Sequence, residues 1–186
     1  MRLVFLGPPG VGKGTQASAI CNHFNILHLS TGDILRSEIE NKSHIGLEAK
    51  SFMDQGELVP DTVLLKIIQN KLNHKSAQNG YLLDGFPRTI PQADGLNQIL
   101  LELKQALDIV VSLDANEEEL VNRLIKRSLD SGRSDDNPDI IKQRQRVYWK
   151  QTAPLLEYYK NLNLLKNVNG IGEIEQITKR ILKAID

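Results

Sequence analysis

A glycine-rich stretch near the start of the chain has the residue types of a phosphate-binding loop. It reads GPPGVGKGT over residues 7–15, after an apolar run and before a segment with helical spacing. Pro8 and Pro9 have no backbone N–H group, so the amide donors begin after them. The six residues that can supply these donors are Gly10, Val11, Gly12, Lys13, Gly14 and Thr15. Amides at a helix start, with a lysine beside them, bind polyphosphate, so the stretch predicts a nucleoside triphosphate site.

The loop departs from the usual P-loop pattern at one position. That pattern has Ser or Thr directly after the lysine, where the hydroxyl binds magnesium. Here Gly14 follows Lys13, and Thr15 comes one step later. Three interpretations are open on this observation alone: a chance glycine-rich turn, a loop that has lost its magnesium ligand, or a distinct variant of the loop.

A second group of candidate residues lies in LLDGFPRTIPQADGL, residues 82–96, which begins in the third apolar run. Ligands of parallel α/β sheets bind beyond the carboxyl ends of the strands, so this segment should face the phosphate loop. Asp84 could serve magnesium directly or through water, or it could cap the turn before Gly85. Arg88 follows Pro87, and its guanidinium could clamp a phosphate with paired hydrogen bonds.

Several arginines cluster in the second half of the chain, and one by one they would be read as surface residues. Arg123 and Arg127 are four positions apart and share one helix face. Arg133 and Arg144 flank the start of the next helix. Asp135 and Asp136 lie between these two, and Arg127 and Arg133 belong to the polar segment RSLDSGRSDD, residues 127–136. Arginines that bracket a polar loop suit an enzyme that gathers several phosphates and excludes water from them.

Five β-like runs alternate with helical segments along the chain. The first four are largely apolar, which suits strands covered on both faces; the runs are residues 2–7, 26–30, 80–85, 108–114 and 163–170. The alternation predicts an α/β fold in which helices cover both faces of a five-stranded parallel sheet. Residues 30–59, with two helices, and the polar segment at 127–136 look like excursions from this core.

The last long helix has a defined start and a predicted interruption. Asn137 followed by Pro138 is typical of a helix start. Pro154 should kink or end the helix that begins there. The aromatic residues nearby, Tyr148, Trp149, Tyr158 and Tyr159, are expected to pack this helix rather than to stack on nucleotides.

Composition limits the classes of partner. Lys plus Arg equal Asp plus Glu at 23 each, so the formal net charge is zero. This argues against a general nucleic-acid or membrane-surface binder, which needs excess positive charge. Cys21 is the one cysteine, so an internal disulfide or a cysteine-based zinc ribbon is impossible. The first apolar run is too short for a signal peptide or a membrane span, and a soluble, cytoplasmic protein is expected.

Five motifs together resemble the nucleoside-monophosphate kinases, and most closely the adenylate kinase family. They are GPPGVGKGTQ, LSTGDILR, GELVPD, LLDGFPRTIPQA and SGRSDDN, in that order. In that family the loop reads GKGT, so Gly14 is expected and Thr15 carries the hydroxyl. The resemblance covers essentially the whole chain and implies the reversible conversion of ATP and AMP to two ADP. It also implies one P-loop kinase domain over residues 1–186, with an AMP-binding lobe at 30–59 and a short lid, without zinc, at 126–136.

The resemblance carries roles onto matching positions. On the ATP side it implies residues 10–15, with Arg127 on the phosphates, Arg123 against the adenine and the backbone near Gly172 closing the base pocket. On the AMP side it implies Thr31, Arg36, Glu57, Leu58, Val59, Gly85, Phe86, Pro87, Arg88, Gln92, Arg133 and Arg144. The implied catalytic set is Lys13, Arg88, Arg127, Arg133 and Arg144. Magnesium would come with ATP, with Asp84 serving it through water and Thr15 as a further candidate ligand.

The acceptor can be argued from chemistry. Adenine presents an acceptor, N1, beside its amino donor, and the amide of Gln92 matches that edge. Kinases of the UMP/CMP type are similar but have a different residue there, and usually Ala where this chain has Thr31. Both positions favour AMP over a UMP/CMP-type acceptor. A P-loop switch or ATPase would have no use for Arg36, Arg88 or Gln92. An inactive relative is disfavoured because each position at which phosphoryl transfer needs a charged residue has one. A monomer with no macromolecular partner is expected.

Overall fold

The computed structural model describes residues 1–131 and 137–186, without the side chains of residues 130 and 131. In this part of the chain, five strands form one parallel sheet with the order β2-β3-β1-β4-β5. The strands are β1 Arg2–Leu6, β2 Leu27–Ser30, β3 Tyr81–Asp84, β4 Ile109–Asp114 and β5 Leu165–Asn169. The predicted parallel sheet is confirmed, and every predicted run becomes a strand.

Helices connect the strands throughout the described residues. They are α1 Lys13–Phe24, α2 Thr31–Glu40, α3 His44–Asp54, α4 Asp61–Leu72, α5 Ile90–Glu102, α6 Glu117–Ser131, α7 Pro138–Val147, α8 Pro154–Asn161 and α9 Ile174–Ile185. The excursion at residues 30–59 holds two helices, α2 and α3, as expected. That it moves as a lobe remains a prediction. The predicted lid at 126–136 includes residues 132–136, which lie outside the described part of the chain.

The sheet divides the hydrophobic core into two clusters, because alternate strand residues point to opposite faces. Val4, Leu83 and Val110 belong to the cluster that also contains residues of α4, α5 and α8. Leu3, Leu82 and Val111 belong to the cluster that contains residues of α1 and α9. Burial on both faces explains why the strand sequences are continuously apolar, and it confirms that helices cover both sides.

The long helix after Asn137 is interrupted as predicted. The Asn137 side chain accepts a hydrogen bond from the Ile140 N–H group, and Pro138 occupies the first turn of α7. After Val147 the chain forms a π-helical turn, Tyr148–Thr152, before α8 begins at Pro154. In that turn the Ala153 N–H group donates to the Tyr148 carbonyl, 2.9 Å away. The interruption lies next to the proline, where a regular helix cannot continue unchanged.

The expectation that Trp149 packs against this helix is wrong. Its side chain is 61% exposed, whereas Tyr148 and Tyr159 are buried and Tyr158 is half-buried. The π-helical turn has Tyr148 and Thr152 as its buried residues. Trp149 follows Tyr148 directly and therefore points away from the core. The sequence pattern does not reveal this, because the proline indicates an interruption but not which residues the π-helical turn buries.

The sheet brings the two main candidate segments side by side. Phe5 of β1 pairs with Asp84 of β3, so both strands end at the same edge. The glycine-rich loop follows β1 at this edge, and the segment containing Arg88 follows β3. In open parallel sheets this edge is where ligands bind.

Candidate active site

A cavity of about 740 Å³ lies at the carboxyl edge of the sheet. The glycine-rich loop, Asp84 and several of the predicted arginines line it; the arginines are Arg36, Arg88, Arg123, Arg127 and Arg144. A smaller cavity of about 60 Å³ has lining residues from α2 and from residues 56–59, and it shares Arg36, Arg88 and Arg144 with the large one. The structure therefore brings residues from both halves of the predicted site together.

The backbone of the glycine-rich loop depends on glycine at defined positions. Gly10 has φ +89°, and a β-carbon there would lie 2.6 Å from the Leu120 carbonyl oxygen. Gly12 has φ +95° and precedes α1, which has no side-chain cap in the described residues. The first-turn N–H groups of α1, those of Lys13, Gly14 and Thr15, are therefore available to an anion.

Lys13 folds back over this loop. Its ammonium group donates to the Gly7 carbonyl at 2.6 Å and to the Pro8 carbonyl at 3.1 Å. Burial lowers the pKa of Lys13 to about 8; Asp84 opposes the shift, while Arg88, Arg144 and Arg127 add to it. Lys13 thus lies in a strongly cationic environment that a polyphosphate would neutralise.

Asp84 lies at the end of β3 beside the loop. The residue is 8% exposed, and Oδ2 of its side chain lies 3.5 Å from Nε2 of His28. A β-carbon at position 14 would lie 3.5 Å from the same oxygen. Gly14 therefore places no side chain next to the carboxylate. In the usual P-loop a side chain would occupy this space.

The residues that the sequence predicts for the site do not include His28. His28 lines the large cavity, and its Nε2 is buried without a hydrogen-bond partner among the described residues. The sheet order could have indicated this. β2 pairs with β3, so the end of β2 must lie next to Asp84.

On the other side of the cavity, one carbonyl collects two hydrogen bonds. The buried hydroxyl of Thr31 donates to the Gly85 carbonyl at 2.9 Å, and Nε of Arg88 donates to it at 2.7 Å. Gly85 has φ +77°, and a β-carbon there would lie 2.9 Å from Nη2 of Arg88. Thr31, Gly85 and Arg88 therefore form one contact group, and glycine is needed at its centre.

Gln92 is 0% exposed and its amide is held by protein groups. Its Oε1 accepts from the Arg88 N–H group at 2.7 Å, and its Nε2 donates to Oδ1 of Asp61 at 2.7 Å. Oδ2 of Asp61 accepts from the Thr89 hydroxyl at 3.1 Å. Gln92 is not one of the described residues that line the two cavities. Its role in binding the adenine base remains a prediction.

Three of the remaining AMP-side candidates line the smaller cavity, and Pro87 lines the large one. The three are Glu57, Leu58 and Val59. Oε1 of Glu57 also accepts from Nε2 of Gln143 on α7 at 2.5 Å. Pro87 lines the large cavity, and Phe86 is fully buried behind it. The segment carrying Glu57 thus contacts the helix that carries Arg144.

Arg123 connects the loop to the end of β5. Its Nε donates to Glu119 at 2.6 Å, and Nη1 donates to the carbonyls of Val11 at 3.2 Å and Gly170 at 3.0 Å. Arg127 and Arg144 line the large cavity, whereas Arg133 lies outside the described residues. Gly172, with φ +120°, follows this end of β5 and is missing from the described residues that line the cavities.

Two further groups near the site carried no signal in the sequence. Nε2 of Gln145 donates to the Pro9 carbonyl at 3.1 Å, and the Thr152 hydroxyl donates to the Arg88 carbonyl at 2.9 Å. Thr152 also lines the large cavity. Gln145 lies on α7 and Thr152 on the π-helical turn that follows it. In the sequence, Pro154 was the one sign that the helix is irregular in this region.

The described residues contain no cluster of three or more side chains that could hold a metal ion. No helix in the described ranges is both long and apolar enough to cross a membrane.

Comparison with known proteins places these features in one family. The family model described as adenylate kinase matches residues 5–164. An adenylate kinase of Leptospira biflexa serovar Patoc is 51% identical over 184 residues, covering 99% of both chains. Adenylate kinases of Bifidobacterium longum and Methanothrix thermoacetophila are 47% and 45% identical; the first is covered over 100% and the second over 98% of its length, each by 100% of this chain. With these matches, the chain belongs to the adenylate kinase family and is a phosphotransferase of the nucleoside-monophosphate kinase type.

Proposed function

We propose that this protein transfers the terminal phosphoryl group of ATP to AMP and catalyses the reverse reaction from two ADP. Membership of the adenylate kinase family indicates this reaction. One observation carries the assignment of the site: Lys13 of the phosphate loop and Arg88 of the other half line the same cavity. A donor and an acceptor bound to the two halves would meet there.

The ATP side of the cavity is the loop from Gly10 to Thr15. Its amides would cradle the phosphates, and Lys13 would leave the Gly7 carbonyl to bind the outer ones. Arg127 would neutralise the same phosphates. Arg123 and the backbone near Gly172 would hold the adenine, supported by the contact of Arg123 with Gly170.

The AMP side is the group around Gly85. Arg88 and Arg36 would bind the phosphate of AMP, and the backbone of residues 57–59 and Thr31 would surround its base. Arg144 lies in the lining of both cavities and would stabilise charge between donor and acceptor, together with Arg133. Transfer of this kind depends mainly on positioning and charge neutralisation.

Magnesium would enter with ATP. The site fits such an ion, because Mg²⁺ is usually held by one or two carboxylates together with substrate phosphates and water. Asp84 offers its carboxylate at the edge of the loop, beside the exposed Thr15. The ion supplies charge stabilisation on the transferred phosphoryl group when it is bound. Asp84 would hold it through water.

Selection of AMP would rest on Gln92 and Thr31. Asp61 and the Arg88 N–H group fix the orientation of the Gln92 amide, because a carboxylate only accepts and an N–H group only donates. The amide oxygen and the amide nitrogen each have the capacity for one further hydrogen bond, which the adenine base would take up. A pyrimidine would leave these positions unpaired, at a cost of a few kcal/mol.

The test is to offer the enzyme ATP and Mg²⁺ with AMP, CMP, UMP or GMP in turn and to measure diphosphate formation. AMP should be the best acceptor by at least about a hundredfold in kcat/KM, from the unpaired-group argument. Comparable rates with CMP or UMP would contradict the Gln92 assignment and favour the broader acceptor pocket of a UMP/CMP-type kinase.

We also propose a monomer in the cytoplasm, with the lobe at residues 30–59 and the lid at 126–136 closing over the substrates. The single cysteine, Cys21, is buried and suits a reducing compartment. Sedimentation at working concentration tests the monomer. Distances between labels on the lobe and the sheet, measured with and without bound ATP and AMP, test the closure.

A further inference from the structure

The π-helical turn Tyr148–Thr152 brings one hydroxyl group into contact with the Arg88 backbone. Thr152 is 7% exposed, and its Oγ1 donates to the Arg88 carbonyl at 2.9 Å. Thr152 also lines the large cavity. The contact joins segments 64 positions apart, so it links two otherwise separate parts of the site.

Arg88 is held on both sides of its backbone. Its N–H group donates to Oε1 of Gln92 at 2.7 Å, and its carbonyl accepts from Thr152. The Arg88 side chain in turn donates from Nε to the Gly85 carbonyl. The two backbone contacts fix where the side chain leaves the main chain, and the contact of Nε with Gly85 restrains the guanidinium itself. Such support positions a charged group before its ligand arrives.

The same turn follows directly on the helix that carries Arg144. α7 ends at Val147, and the wide turn that follows has Tyr148 and Thr152 buried and Trp149 exposed. Such turns often occur at functional sites. One continuous segment therefore carries Arg144 into the cavity and contacts the backbone of Arg88.

We propose that Thr152 is a positioning residue for phosphoryl transfer, which holds Arg88 through its backbone carbonyl and couples it to the segment bearing Arg144. This inference rests on the proposed function, in which Arg88 binds the phosphate of AMP. Thr152 itself acts through the Arg88 backbone.

The test replaces the hydroxyl while keeping the shape of the side chain. Thr152→Val removes the donor and Thr152→Ser retains it. Thr178→Val is a control for the loss of a threonine hydroxyl away from Arg88, since the Thr178 hydroxyl lies 2.9 Å from the Ile174 carbonyl and 2.7 Å from Oε1 of Gln16. Titration calorimetry with AMP alone measures affinity, and steady-state assays measure kcat and the KM values. Thr152→Val should weaken AMP binding about tenfold and lower kcat by a similar factor, the effect of one lost hydrogen bond.

Thr152→Ser should stay within about threefold of wild type, and the KM for ATP should be unchanged in both variants. Thr178→Val should leave AMP affinity unaltered. In an Arg88→Ala background, Thr152→Val should add nothing to the loss of AMP affinity, because the group it positions is gone. If Thr152→Val does not fold, Thr152→Ala compared with Thr152→Ser makes the same test.

Normal AMP affinity and kcat in Thr152→Val would overturn the inference, and so would an equal loss in Thr152→Ser. A full Thr152→Val effect that persists without the Arg88 side chain would show a structural role only. Failure of the proposed function has a different signature: Arg88→Ala alone would then bind AMP like the wild type.

Discussion

The two halves of the cavity are built in different ways. In the ATP half, consecutive backbone amides from Gly10 to Thr15 form the candidate cradle, and glycines give it its shape. In the AMP half, side chains from distant segments fix the geometry: Thr31 contacts Gly85, and Gln92 contacts Asp61. A loop made of backbone should tolerate side-chain changes and fail when its glycines change. A side-chain network should lose function when single polar atoms are removed.

The largest expected effect follows from removing the cation of the AMP half. Arg88→Ala should lower turnover by roughly a hundredfold to a thousandfold, the range seen when one charge-stabilising donor is lost. The protein should stay folded, because the guanidinium lines the cavity and is not part of either core cluster. Stopped-flow or coupled assays measure the rate, and circular dichroism checks the fold. Near-normal turnover would remove Arg88 from the phosphate clamp.

The same contrast decides how much the sequence could predict. The phosphate cradle of the ATP half is one continuous stretch of sequence, so the loop, its N–H donors and Lys13 can be predicted from residues 7–15 alone. The AMP half depends on contacts such as Thr152 with Arg88, which no local pattern reveals. Arg36, Glu57 and Gln92 could be named from the family resemblance, but the partners Asp61 and Gln143 needed the fold.

Strand order and burial explain the other differences. Parallel strands were predicted from apolar runs, because burial on both faces leaves a strong signal in composition. The place of His28 beside Asp84 depends on β2 pairing with β3, and single-sequence patterns do not encode neighbour order. The exposure of Trp149 depends on a π-helical turn that the regular helix period cannot anticipate.

Two glycine substitutions sharpen the comparison between the halves. At Gly10 a β-carbon would meet the Leu120 carbonyl at 2.6 Å, and at Gly85 it would meet Nη2 of Arg88 at 2.9 Å; both residues have positive φ. Each alanine variant should lose about 1–3 kcal/mol of unfolding free energy. Gly10→Ala should raise the Kd for ATP with little change in the Kd for AMP. Gly85→Ala should raise the Kd for AMP with little change in the Kd for ATP.

Denaturant unfolding and calorimetry with each nucleotide measure these effects. Gly80→Ala is a matched control, because Gly80 also has positive φ, +118°, and its β-carbon would meet the Met1 carbonyl oxygen. Gly80 directly precedes β3, at the opposite end of that strand from Asp84 and the cavity. It should change stability without changing either affinity. An equal loss of ATP and AMP affinity in both cavity variants would show that the halves are not independent.

A smaller effect is expected where Asp61 orients Gln92. Asp61→Asn replaces an acceptor-only group with one that can also donate, so the Gln92 amide can pair with position 61 in either orientation. The KM for AMP should rise about fivefold to tenfold, and discrimination against CMP and UMP should fall, while the KM for ATP stays constant. Acceptor competition assays measure the ratio. A rise in KM for AMP with unchanged discrimination would place Asp61 in the fold of α4 rather than in base selection.

The smallest expected effect concerns protons, and it separates the halves by charge alone. Burial lowers the pKa of Lys13 to about 8, so above that pH the free enzyme increasingly holds this amine neutral. Bound polyphosphate favours the charged form, so ATP binding at pH 9 should take up close to one proton, and ATP affinity should fall as the pH rises above about 8. AMP binding should take up fewer protons, and Lys13→Met should abolish the uptake with ATP. Calorimetry in two buffers of different ionisation enthalpy gives the number of protons taken up.

The stability of the free protein should depend on pH in the opposite direction to ATP affinity. Between about pH 8 and 10.5 the unfolded chain binds more protons at Lys13 than the native chain does, so Lys13 alone makes the unfolding free energy rise with pH. Equal proton uptake for ATP and AMP would contradict the assignment of Lys13 to the ATP half.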